Sequence, residues 1–303
     1  MKKFWTAALA GAATACFGLQ TATCQIIRTT NYGLGADSEV REFRPTENNG
    51  AATELATRVI NAFALGDGSD GNDRNSVMYV QFDLENITAA DTTDAVLRLT
   101  FRNSNLNISR ITDTDGVDPD LGQNGLVYYG IPNYQFDESA ISYFNAKGIS
   151  FDGDVGTSDF NSDAVLLGDQ DFPLIGTQNR LAIGDAMDFS SPNLDSFLAT
   201  EIAAGNPTAV FAIAHRNQGL ATEPNNWKNF NYLFNPKEQV TLNGDPFYDA
   251  DVNDPNNATG LPERDNSDGF YSPQLRLGEV PEPSAALLGA TALLLAARRR
   301  KEL

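Results

Sequence analysis

Along residues 25–280, apolar positions recur with period two in short runs, separated by segments rich in Gly, Asn and Asp. Segment 76–84 sets Met78, Val80, Phe82 and Leu84 on one side and Tyr79, Gln81 and Asp83 on the other. Segment 95–101 alternates Ala95, Leu97, Leu99 and Phe101 with Val96, Arg98 and Thr100. In an extended chain a spacing of two puts each set on one face, which predicts strands with one face buried and one in water. Further strands are predicted at 38–43, 126–129, 164–167, 209–215, 232–234 and 274–277. Many short strands without a βαβ rhythm point to an all-β, antiparallel sandwich. One helix interrupts the pattern. Ser191 can cap it, Pro192 suits its first turn, and Leu194, Phe197, Leu198 and Ile202 follow at helical spacing before Gly205. It is expected to pack across an open edge or end of the sandwich. The connections at 59–74, 146–163 and 235–270 are long.

The two ends read differently. Residues 1–24 open with Lys2-Lys3, continue apolar and small from Phe4 to Phe17, and close on the small, polar stretch from Gln20 to Cys24. That is the layout of a secretory signal, with cleavage expected near Cys24. Both cysteines, Cys16 and Cys24, would leave with it. A domain of this size buries enough core to dispense with disulfides. At the other end, Pro281-Glu282-Pro283 precedes an uncharged run from Ala285 to Ala297 and the cluster Arg298-Arg299-Arg300-Lys301. As a helix this run would span only about 20 Å, against a hydrocarbon core of about 30 Å. The segment is therefore marginal for permanent spanning, and the basic cluster would hold that end on the cytoplasmic side. The resulting division is 1–24 signal, 25–279 body and 280–303 tail.

Charge narrows the function further. The 303 residues carry 40 acidic and 21 basic side chains, a net charge of −19. Without Lys2, Lys3, Arg298, Arg299, Arg300, Lys301, Glu282 and Glu302, the body keeps 38 acidic and 15 basic residues. A body this anionic repels phosphate backbones, so nucleic acid is excluded as a partner. His215 is the single histidine, which disfavours histidine-rich zinc sites and Cys–His catalysis. At the end of a strand, it reads as a structural residue before it reads as a base. No Gly-x-Ser-x-Gly, P-loop or dinucleotide fingerprint occurs in the chain.

The tail, with its Pro281-Glu282-Pro283 triplet, apolar run and Arg298-Arg299-Arg300 cluster in order, resembles the PEP-CTERM sorting domain. That resemblance implies a Gram-negative-type bacterium, recognition by the export machinery and by an exosortase-type sorting enzyme, and cleavage near the triplet. It also implies passage through the inner membrane to the cell surface or extracellular matrix. The body resembles the DNRLRE-type domain, through 37–41, Asn48-Asn49-Gly50, 75–84 (NSVMYVQFDL), the 95–99 strand, 136–146 (FDESAISYFNA), the capped helix, the 210–214 strand and Ser272-Pro273-Gln274-Leu275. This second resemblance implies a jelly-roll β-sandwich and, through relatives that are carbohydrate-binding modules, a polysaccharide partner. The chain departs from the usual arrangement in carrying no catalytic domain beside the body.

Three kinds of candidate chemistry remain. The acidic runs 67–73, 113–120 and 249–254 can either solvate their loops or supply the hard oxygens that calcium prefers. Calcium is the one cofactor expected, with Asp113, Asp115, Asp118, Asp249, Asp251 and Asn253 as its ligands. The last run is not an EF-hand, since Asp254 stands at the sixth position and Gly260 at the twelfth. Segment 227–232 (WKNFNY) joins aromatic rings, which stack on sugar faces, to amides that bond hydroxyls. Trp227, Asn229 and Tyr232 are the residues expected to contact glycan, against the alternative that such rings fill the core. A glycosidase would need two carboxylates about 5–10 Å apart in a cleft, and the sequence singles out no pair. The expectation is a non-catalytic, exported surface or matrix protein. A carbohydrate-active enzyme and a purely architectural surface protein stand as alternatives.

Overall fold

The structure, a computed structural model, describes residues 25–52, 54–59, 75–104, 125–150, 159–172, 174–175, 178–179, 181, 184–216, 230–238 and 271–278. Residues 25–279 form one compact unit. Its main sheet runs, in spatial order, through β1 (Ile26–Thr29), β13 (Gln274–Leu277), β5 (Val96–Ser104), β12 (Phe230–Phe234), β3 (Leu55–Val59), β4 (Ser76–Asp83), β11 (Thr208–His215), β6 (Gly125–Gly130) and β7 (Val165–Asp171). Two strands lie off this path: β2 (Ala36–Arg41) pairs with β4, and β10 (Ala186–Phe189) pairs with β5. A separate two-residue pair joins β8 (Leu174–Ile175) and β9 (Gln178–Asn179). Every ladder is antiparallel. Among the described residues the fold is all-β, as the alternation predicts, with one α-helix.

The sheet curls. Strand β5 makes the bend possible by changing partners along its length, with β13 on residues 96–98 and β12 on 101–104. As a result, β10 and β6 stand far apart in sheet order, yet Tyr128 stacks on Phe189 with ring centroids 3.9 Å apart. The concave side encloses a core of Met78, Val80, Phe82 and Leu84 from the β4 segment, Leu97, Leu99 and Phe101 from β5, and Ala209, Phe211 and Ile213 from β11. Each large apolar side chain so buried contributes about 1.5–3 kcal/mol. Residues 95–99 follow the predicted in–out alternation, with Val96 and Arg98 partly exposed, whereas Thr100, expected outward, is buried.

The central strand departs from expectation. All eight residues of β4 are buried, so this strand is covered on both faces. Segment 131–150 lies over the face expected to meet water, and Ile131, Phe136, Ile141, Tyr143, Ala146 and Ile149 join Val77, Tyr79, Val127, Val210 and Ala212 in a second core. Polar side chains on this face serve the cover's backbone rather than solvent. The Gln81 amide donates to the Leu34 carbonyl at 2.5 Å, and its oxygen accepts from the Phe136 N–H at 3.0 Å. The Tyr79 hydroxyl donates to the Lys147 carbonyl at 2.9 Å. Part of the predicted 146–163 loop is therefore packed structure, with Ile149 bridged to Phe160.

Helix α1 (Pro192–Ala203) forms where the sequence places it. The Ser191 hydroxyl accepts from the Leu194 N–H at 3.0 Å, and Gly205 follows with φ of 73°. Leu194, Phe197 and Leu198 enter the first core. Phe197 packs so closely on β6 that a Cβ on Gly130 would lie 2.6 Å from its ring. Among the described residues no helix is long and apolar enough to cross a membrane, and the predicted apolar helix near the C-terminus lies outside them.

Candidate functional site

Three chain segments converge on a small group of carboxylates. Asp37 comes from the start of β2, Glu138 from the cover over β4, and Glu238 from the turn after β12. One oxygen from each lies within 4.8 Å of the others. Local structure explains the convergence. The Asn48 amide donates to the carbonyls of Glu138 and Ile141 at 2.7 and 2.8 Å, fixing the cover. Gly50 approaches so closely that a Cβ there would stand 2.1 Å from the Glu138 carbonyl oxygen. The Lys237 N–H donates to Asp37 Oδ2 at 3.1 Å and holds the turn against β2.

The group is largely closed from water. Asp37 is 1% exposed. Its Oδ2 accepts from the Thr30 hydroxyl at 2.5 Å, while its backbone N–H donates to Glu138 Oε1 at 3.2 Å. The Lys237 ammonium pairs with Glu138 Oε2 and lies 3.9 Å from Glu238 Oε1. Asp37 Oδ1 and Glu238 Oε2 are buried, and no donor among the described residues reaches either one. The Asp37 and Glu238 carboxyls nevertheless lie within hydrogen-bonding reach of each other. Two carboxylate oxygens cannot bond without something positive between them, either a proton or a metal ion. Burial, reinforced by Glu138 and opposed by Thr30 and Lys237, pushes Asp37 up to about 6. Burial together with Asp37 and Glu138 pushes Glu238 up to about 9.

A second feature is a groove of about 610 Å³ between the turn after β1 and the end of α1, lined by Leu34, Asp83, Glu85, Ile87, Ile202 and Asn206 among others. Asp83 is a structural member of its wall. Oδ2 accepts from the Leu34 N–H at 2.8 Å and Oδ1 from the Glu85 N–H at 2.6 Å. Next in sequence to the lining residue Gly33, Tyr32 is 44% exposed, with the Arg28 guanidinium 4.6 Å from its ring centre. Arg28 in turn donates to the Glu85 carbonyl at 2.7 Å.

Of the residues that sequence reasoning nominated, Tyr232 is corrected by the structure. It is 2% exposed, stacked on Phe172 at 4.0 Å and parallel to the His215 ring at 5.8 Å, so it is a core ring and no glycan contact. Its companions Trp227 and Asn229 lie outside the described residues. So do the calcium candidates Asp113, Asp115, Asp118, Asp249, Asp251 and Asn253, and the sorting residues Pro281, Glu282, Pro283, Arg298, Arg299 and Arg300. His215 is buried, and desolvation, aided by the neighbouring Arg216 charge, pushes it down to about 3. Sequence reasoning missed the carboxylate group because its members stand about 100 residues apart and none sits in an acidic run. Neither a protein-family model nor a curated protein matches the chain, so the two resemblances rest on their short motifs.

Proposed function

We propose that this is an exported, non-catalytic protein of the cell surface or extracellular matrix, with a jelly-roll-like β-sandwich body sorted by an exosortase-type enzyme. One observation carries the reading. The ordered tail Pro281-Glu282-Pro283, apolar run and Arg298-Arg299-Arg300 stands at the opposite end from a leader-like segment, and between them the body forms one compact unit. The deep burial of the single imidazole supports a non-catalytic role, since a base must reach its substrate. The acidic runs 113–120 and 249–254 keep their reading as calcium-binding loops that steady the surface of the body.

The test is to produce the full chain in a bacterial host with and without an exosortase, then weigh the intact product by mass spectrometry. Loss of the leader in both hosts, and cleavage near Pro281–Pro283 only with the exosortase, is expected. A chain left in the cytosol and uncut at both ends would sink the proposal.

Polysaccharide contact is a second reading, favoured by the groove beside Tyr32. Its apolar walls and polar Glu85 and Asn206 offer the mixed surface that sugars need. A glycan array probed with the protein should give hits that Tyr32→Ala weakens. Uniformly negative arrays would favour an architectural role, and turnover of a defined polymer would favour a carbohydrate-active enzyme.

A further inference from the structure

We propose that Asp37, Glu138 and Glu238 form a hard divalent-cation site, suited to calcium, that ties β2, the cover over β4 and the turn after β12 together. The argument begins with geometry. Calcium binds oxygens at about 2.3–2.6 Å, so ligands on opposite sides of one ion stand up to about 5 Å apart. The three carboxylate oxygens all lie within 4.8 Å of one another, which fits a single ion. The second observation is independent of that spacing. Asp37, 1% exposed, leaves Oδ1 without a donor, and Glu238 leaves Oε2 in the same state. A buried charged oxygen with no partner is costly, and an ion between these two would satisfy both. The Gly35 carbonyl accepts from the Lys237 ammonium at 3.4 Å.

Lys237 bears directly on this proposal. Its ammonium already stands beside Glu138 and Glu238, a tethered cation at the mouth of the site with 18% of its side chain exposed. Binding a metal means turning that side chain outward. Nearby Glu39 takes no part in this, because it is paired with Arg41 at 2.8 Å. A site that competes with an internal ammonium belongs to the weak, extracellular class, with Kd on the order of 10⁻⁴–10⁻³ M. Occupancy in life thus rests on the export reading, whereas binding by the purified protein does not.

The experiment uses the full chain, purified in mild detergent and stripped with chelator. Calcium chloride is titrated calorimetrically at pH 8, and melting is followed with and without 5 mM calcium. Melting should rise by several degrees. Glu238→Gln, at a partly exposed position that tolerates an isostere, should remove this rise. Asp113→Asn/Asp115→Asn/Asp118→Asn should keep it, which separates this site from the acidic loops. Lys237→Met should tighten calcium several-fold. Should Asp37→Asn fail to fold, Glu238→Gln and Lys237→Met still decide. The proposal is overturned if calcium leaves melting unchanged, if Glu238→Gln responds like the parent, or if Lys237→Met binds no tighter. A negative result here, with processing at both ends intact, would leave the export reading standing.

Discussion

His215 offers a test in which one side chain can be followed alone. It is the chain's single histidine, it is wholly buried, and its folded-state pKa is pushed down to about 3 from the ordinary 6.5. A base with a depressed folded pKa binds fewer protons when folded than when unfolded. Its neutral form supports the fold above pH 6.5, and that support is lost as pH falls toward 3. The slope is about 1.4 kcal/mol per pH unit, so acidification to pH 4.5 should remove about 2.7 kcal/mol. That is a large share of a typical stability of about 5–15 kcal/mol. The assay is urea unfolding of an untagged chain between pH 7 and 4.5, beside His215→Phe, whose ring keeps the parallel stack on Tyr232 but cannot titrate. All other ionisable groups are common to the two proteins, so their contributions cancel in the difference. The stability gap should move in favour of the phenylalanine variant by about 2.7 kcal/mol across this range. Nuclear magnetic resonance of the lone imidazole provides a second readout. Parallel stability curves, or an imidazole titrating near 6.5 in the folded protein, would refute the reasoning.

Other consequences follow from the packing and the carboxylate group. Gly130→Ala should destabilise by about 1–3 kcal/mol by driving a Cβ into the Phe197 ring. Combining it with Phe197→Leu should recover part of that loss, and strictly additive denaturation midpoints would show that the helix does not press on β6. Glu201, 3% exposed, accepts from the Asn133 N–H at 3.0 Å and the Asn206 amide at 2.8 Å. Glu201→Ala strands both donors and should cost about 1–3 kcal/mol in urea unfolding, and a change below about 0.5 would contradict that role. Asp37 and Glu238 have raised folded pKa values, so their support is complete below about pH 4 and is lost as pH rises through 6 and then 9. In calcium-free buffer, melting should therefore fall between pH 7 and 9, above the range in which His215 contributes, and Glu238→Gln should flatten this part of the curve. An unchanged alkaline slope in that variant would argue against the assignment.

Much of this fold is local in origin. The period-two runs determine which segments become strands, and 274–277 is a strand over the whole of its predicted length. The cap, proline and apolar spacing around α1 act within a single turn, so the helix is readable without any partner. The strands that sequence reasoning missed, β1, β3, β8, β9 and β10, are short, and their alternation is too brief to stand out. What lies above and below each strand is a different matter. Tyr79, Gln81 and Asp83 look like a wet face because they are polar, yet they are buried; Tyr79 and Gln81 bond the backbone of the cover, and Asp83 bonds that of Leu34 and Glu85. Tyr232 looks like a sugar platform in a run of aromatic and amide residues, and becomes core because its strand sits beside β5 at the bend of the sheet. The carboxylate group depends most heavily on tertiary structure. Alternation and capping are interactions between near neighbours, so sequence by itself specifies them. The meeting of Asp37, Glu138 and Glu238 arises only when the sheet curls and the cover closes, because burial and long-range contact are properties of the folded chain.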